Sequence, residues 1–155
     1  MSHKTNTSRA LHIIDAANEL GDPFFTVSSA QRLGRAWEAC THPEDADHFI
    51  KATGPGTAAD LGIGWPGGRL LSRAGKDGAD TAIIESIDVA WVKERFDVVY
   101  LGTGDHSMQP MAAELLKAGV RVVLVARDKK SVHRDFRSMN ELEIRYLNFD
   151  YDLAA

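Results

Sequence analysis

Apolar residues in this chain fall into two patterns, separated by polar, glycine-bearing breaks. The first is a compact run. Residues 10–14 (Ala-Leu-His-Ile-Ile), 98–101 (Val-Val-Tyr-Leu) and 120–126 (Val-Arg-Val-Val-Leu-Val-Ala) are short, nearly continuous apolar blocks. Such blocks read as strands buried on both faces, as in a parallel sheet. Weaker strand signals cover residues 47–52, 69–73 and 143–149. The second pattern has helical spacing. Ala30, Leu33 and Trp37 predict a helix capped at Ser28 or Ser29 and running to about residue 39. Ile83, Ile87, Ala90 and Trp91 predict one helix over residues 81–94. Met108, Met111, Ala112 and Leu115 predict another from about residue 109, with Pro110 in its first turn and Gly119 as its stop. A short charged helix is expected over 131–138. Residues 53–68 are rich in glycine and proline and read as a loop or lid anchored by Leu61, Ile63 and Trp65. Strands that alternate with helices predict an α/β fold with a parallel sheet.

The length of 155 residues fits one domain, expected over residues 10–150 after a flexible tail at 1–9. Hydrophobic residues make up 44%, enough for a sizeable core. Twenty-two acidic and 18 basic residues give a net charge of −4, so nothing global attracts nucleic acid and any such binding needs a local basic patch. Cys40 is the only cysteine, which excludes an intrachain disulfide. No apolar run approaches the roughly 20 residues of a membrane span, and the first ten residues lack a signal-peptide core. The expectation is a cytoplasmic protein with no membrane partner; a homodimer is left open.

Three carboxylates occupy comparable places. Asp15 and Asp105 follow apolar strands, and Asp80 opens a helix that follows a strand. In a parallel sheet the carboxyl ends of the strands share one edge, where ligands bind. Carboxylates held ~4–6 Å apart raise one another's pKa and call for a cation. An all-oxygen donor set favours Mg2+ or Mn2+. A hard divalent ion there activates water and holds a phosphodiester for in-line attack, which points to phosphodiester hydrolysis. Each position also has a local explanation: Asp15 and Asp80 are good capping residues, and Asn18 suits an Asx-turn. The glycine-rich stretch lacks the Gly-Lys-Ser/Thr ending of a phosphate loop. Gly102-Thr103-Gly104 lacks the third glycine of a dinucleotide fingerprint, because position 107 is serine.

The segments Ile13-Ile14-Asp15-Ala16-Ala17-Asn18, Lys76-Asp77-Gly78-Ala79-Asp80 and Leu101-Gly102-Thr103-Gly104-Asp105 resemble, in order and spacing, the three signatures of the NYN family of PIN-like nucleases. The resemblance covers residues 10–149. It implies a three-layer α/β/α sandwich with a central, mostly parallel sheet, and an Mg2+- or Mn2+-dependent endoribonuclease. It places catalytic and metal-holding roles on Asp15, Asp80 and Asp105, with Asn18 beside them. Many members carry a further Asp where this chain has Ser107. That departure favours the alternative of a weakly active or inactive domain that binds RNA or a protein partner.

The expected partner is RNA, single-stranded or structured. Candidate substrate contacts are Asn18, Lys76, Arg127, Ser107 and His106. Arg73, Lys129, Lys130 and Arg134 are further cations near strand ends, and Trp65 is either a stacking platform for a base or a core anchor.

Overall fold

A computed structural model describes residues 9–150. The tail expected over 1–9 falls, apart from Arg9, outside the described residues, as does 151–155. Six strands form one sheet: β1 Ala10–Asp15, β2 His48–Thr53, β3 Arg69–Ser72, β4 Val98–Gly102, β5 Arg121–Ala126 and β6 Glu143–Tyr146. Every pairing is parallel and the order is β3-β2-β1-β4-β5-β6. Among the described residues, seven α-helices accompany them: α1 Ala16–Leu20, α2 Val27–Thr41, α3 Ala58–Gly64, α4 Gly78–Ser86, α5 Val89–Arg95, α6 Gln109–Lys117 and α7 Arg134–Arg137.

Strand alternation divides the core between two faces. Leu11 and Ile13 of β1, Val99 and Leu101 of β4, and Val122, Leu124 and Ala126 of β5 face one layer. Ile83 of α4, Val92 of α5, Met111, Ala112 and Leu115 of α6 and Phe136 of α7 complete it. Ala10, Ile14, Val98, Val123 and Val125 face the other layer, closed by Ala16 of α1, Ala30, Leu33 and Trp37 of α2 and Leu61 of α3. The fold is thus a three-layer α/β/α sandwich with a wholly parallel sheet.

His12 also points to the second layer, stacked between the rings of Phe49 and Tyr100 at 4.2 and 4.9 Å. Its Nδ1 accepts from Trp37 Nε1 at 2.9 Å, so Nε2 carries the proton and donates to Asp47 Oδ2 at 2.8 Å. Burial holds this imidazole below its ordinary pKa, against the pull of Asp47.

Several local expectations are corrected. The helix expected over 81–94 is two helices, broken at Ile87 and Asp88. Asp88 accepts from the N–H groups of Ala90 and Trp91 and so starts α5. Helix α2 is capped by Thr26, whose hydroxyl accepts from Ser29 N–H, and not by Ser28 or Ser29. The expected lid over 53–68 contains α3 instead, docked on α2. Gly64 lies so close that a Cβ there would stand 2.4 Å from Val27 O. Leu61 and Trp65 are buried anchors, whereas Ile63 is 68% exposed. Lys51 fixes the turn after α3 by donating to Trp65 O at 2.7 Å and Gly67 O at 2.8 Å. The last strand stops at Tyr146, short of residue 149.

Candidate active site

The strand order reverses between β1 and β4. From β1 the chain moves towards β2, and from β4 towards β5. The segments leaving these neighbours diverge and leave a crevice at their carboxyl ends. A cleft of about 560 Å3 lies there. It is lined by Asp15, Asn18, Lys76, Asp80, Asp105 and Arg127, six of the residues expected from the sequence. Arg73, Asp77 and Asp22 join them.

Alternation explains the first pairing. Asp15 shares the parity of Leu11 and Ile13 and therefore faces the layer in which α4 begins. Asp80 stands in the first turn of α4, where negative charge meets the positive end of the helix dipole. Both carboxyls are buried. Burial, a hydrogen bond shared with Asp80 and the charge of Asp80 push the Asp15 pKa up to about 8. Asn18 N–H, which Asp15 Oδ1 accepts at 3.3 Å, works in the opposite direction; the charge of Asp105 adds to the rise. Without a cation, Asp15 therefore favours its neutral form at neutral pH.

Asp105 reaches the cleft by a rigid route. Gly104 N–H donates to Asn18 Oδ1 at 2.9 Å, and Asp105 N–H donates to Thr103 Oγ1 at 3.1 Å. Gly104 passes against the backbone of Ser131, where a Cβ would meet the carbonyl oxygen at 1.9 Å. The Gly-Thr-Gly turn is therefore glycine-bearing for close packing. The Asp105 carboxylate accepts from Ser107 N–H at 3.0 Å and caps the one-turn helix His106–Met108.

Ser107 occupies the place of the additional acid. Its Oγ donates to Asp80 Oδ2 at 2.8 Å, leaving Asp80 Oδ1 buried with no hydrogen-bond partner. Neither Ser107 nor His106 lines the cleft. His106 lies outside it, 3.4 Å from Asp105 Oδ1 and with its ring 5.0 Å from that of His133. Lys129, Lys130 and Arg134 also stay off the cleft wall. Trp65 is a core anchor against Trp37 and Phe49, with Lys51 Nζ 4.4 Å above its ring.

A buried acid escaped the sequence reading, as did Asp22 on the cleft wall. Glu19 is completely buried, and neither carboxyl oxygen has a hydrogen-bond partner. Burial raises its pKa well above the ordinary value; the Asp15 charge adds to this and Arg127 opposes it. The available signal was its place four residues after Asp15, on what proves to be α1. Arg127 shares the parity of Val123 and Val125, so it leaves the sheet on the α1 side. Its guanidinium lies over Gly21, where a Cβ would stand 1.4 Å from Nη1. Gly21 ends α1 in the left-handed region at φ 65°, so both the turn and this approach require glycine.

The donor set suits a hard divalent cation in its chemistry. All the nearby donors are oxygens, and an orphaned carboxylate oxygen is buried at the centre. Among the described residues, however, no group of three His, Cys, Asp or Glu side chains is arranged around one point as a finished cage. Asp15 and Asp80 form a pair, and Asp105 stands within its electrostatic reach.

No family model matches the chain, and no curated protein matches it. Among solved structures, it is similar to the MAR1 ribonuclease from Caenorhabditis elegans. The two are 18% identical over 88% of this chain and 74% of that one, with a TM-score of 0.47. Likeness at this level does not decide a function. Among the described residues, no helix is long and apolar enough to cross a membrane.

Proposed function

We propose that this protein is a divalent-cation-dependent ribonuclease, with its active site in the cleft between β1 and β4. One observation carries the reading: two buried carboxyls, Asp15 and Asp80, are pressed together at the switch point of the sheet, with Asp80 Oδ1 lacking a partner. Two carboxylates buried side by side cannot both ionise without a counter-charge, so the pair is best understood as a cation site. Asp15, Asp80 and Asp105 are the residues that would hold Mg2+ or Mn2+. When bound, such an ion neutralises the cluster and supplies Lewis-acid activation of water for attack at phosphorus.

The chain's own groups supply the positioning. Lys76, Arg73 and Arg127 offer cationic donors to the phosphates on the cleft wall. Asn18 joins α1 to the segment after β4 and fixes the distance between the Asp15 and Asp105 walls. Ser107 orients Asp80 through its hydrogen bond. RNA as the substrate rests on the NYN resemblance.

The strand order is also that of dinucleotide-binding sheets. Their glycine-rich turn after the first strand is replaced here by Asp15-Ala16-Ala17-Asn18, and a carboxylate there repels a pyrophosphate. A second reading, an RNA-binding domain that does not cut, is favoured by Ser107 in place of an acid and by the open carboxylate arrangement.

Incubation of single-stranded RNA with the protein and Mn2+, against EDTA and against Asp80→Asn, separates these readings. The nuclease reading expects cleavage only by the wild type with metal. Equal cleavage by Asp80→Asn sinks the site, and RNA binding without cleavage under any divalent ion establishes the second reading.

A further inference from the structure

A second pocket of about 250 Å3 adjoins the cleft, and nothing in the proposed reaction uses it. Asp22 and Arg127 line both spaces, so Arg127 forms part of the wall between them. The remaining walls are Leu20, Phe25, Ser29, Arg32 and Phe149. The Arg32 guanidinium sits 6.0 Å above the Phe149 ring, and its Nη2 donates to Phe149 O at 3.4 Å. Aromatic and apolar walls thus combine with a carboxylate, a hydroxyl and two guanidiniums.

The segment between the two spaces is Asp22-Pro23-Phe24-Phe25. Pro23 lines the cleft and Phe25 lines the pocket, while Phe24 is 84% exposed. The backbone N–H of Phe24 donates to Asp22 Oδ1 at 2.8 Å, which fixes the turn that carries the ring. An exposed phenyl ring on the segment that joins the two spaces offers a flat face on which a base can stack.

We propose that this pocket receives an unpaired nucleobase of a single-stranded substrate, with the adjoining phosphate on Arg127 and a neighbouring base on Phe24. The proposal rests on the ribonuclease reading and narrows its substrate class to single strands. A base offers a flat π-face to Phe149 and Arg32 and polar edges to Asp22 and Ser29. A base held in a duplex offers only its edges, because its faces are stacked, and must leave the stack to enter. Arg127 serves both spaces, which is the arrangement a continuous strand needs: a phosphate lies between successive bases.

The test is fluorescence anisotropy with a labelled single-stranded oligoribonucleotide, and with the same strand annealed to its complement. It is run in Ca2+ buffer with the probe verified intact. Phe24 and Arg32 are exposed, so Phe24→Ala and Arg32→Ala spare the fold, which unchanged melting temperatures confirm. The expected result is single-strand binding at least about ten-fold tighter than duplex binding, weakened roughly five- to one-hundred-fold in each variant. Duplex affinity stays unchanged in Phe24→Ala. Equal affinity for both probes, or wild-type single-strand affinity in both variants, overturns the subsite. If the wild type still cleaves RNA with Mn2+ in that case, the ribonuclease reading survives alone. Weakened variant binding without cleavage by the wild type rejects the nuclease and keeps the subsite.

Discussion

Ser107 Oγ lies 2.8 Å from Asp80 Oδ2 and donates to it, so a hydroxyl here supports a carboxylate where an additional acid would compete with it. Hydrogen bonds to ionised partners are among the stronger ones in proteins. Ser107→Ala is expected to cost about 1–2 kcal/mol of stability in urea unfolding and to lower cleavage several-fold. Ser107→Asp places another negative charge beside Asp80. It is expected to lower the melting temperature in EDTA and to tighten Mn2+ binding by calorimetry. Unchanged Mn2+ affinity in Ser107→Asp counts against a cation at this position.

The Asp15–Asp80 pair sets the pH response of the cation-free protein. Asp15 titrates near 8 in the fold and near 3.8 in the unfolded chain. Between those values the folded protein holds a proton that the unfolded chain has released. Stability is therefore full at the acid end of that window and is lost as the pH rises through 8. Glu19, also raised, acts in the same direction. Urea unfolding in EDTA is expected to show a lower stability at pH 8.5 than at pH 5.5, by on the order of 1–3 kcal/mol. Mn2+ is expected to recover the loss. Asp15→Asn is expected to flatten the dependence and to abolish cleavage; a steeper dependence in that variant contradicts the pairing.

Gly21→Ala tests the seat of Arg127. The new Cβ would take the place of the guanidinium and force a side chain into the left-handed region. The backbone effect alone is worth about 1–2 kcal/mol. The expected kinetic signature is a raised KM for RNA with a smaller change in kcat, because Arg127 moves while the carboxylates stay. Denaturant unfolding and steady-state kinetics give the two numbers.

Lys51→Met addresses the second layer, away from the carboxylates. The ammonium satisfies Trp65 O and Gly67 O, with Pro66 O at 3.4 Å. Its removal leaves the buried Trp65 carbonyl without a donor, at an expected cost of roughly 1–3 kcal/mol. Cleavage measured well below the melting temperature is expected to stay near wild type. A large loss of activity in a folded Lys51→Met protein would tie residues 53–68 to the reaction.

The sequence by itself determined the parallel α/β architecture, because blocks buried on both faces leave few other arrangements for strands such as β1, β4 and β5. It also identified Asp15, Asp80 and Asp105 as strand-end and helix-start acids, since those positions follow from local pattern. It could not show that α1 exists. Five residues carry too little periodicity to announce a helix, so Glu19 went unnoticed although it is entirely buried. The break between α4 and α5 was hidden for the opposite reason: Ile87 keeps the helical spacing while Asp88 restarts the chain as a cap.

Only the tertiary structure decided which acids meet. Asp15 touches Asp80 because strand parity and the strand order bring the end of β1 under the start of α4. Asp105 lines the same cleft from the segment after β4, which Gly104 N–H ties to Asn18 Oδ1. Arg127 and Gly21 are 106 positions apart in the chain, and their contact depends on which face of β5 the arginine leaves. Periodicity fixes the face that a residue presents within its own element. The partner on that face is set by how elements distant in sequence pack, and the chemistry of this cleft lies in those partners.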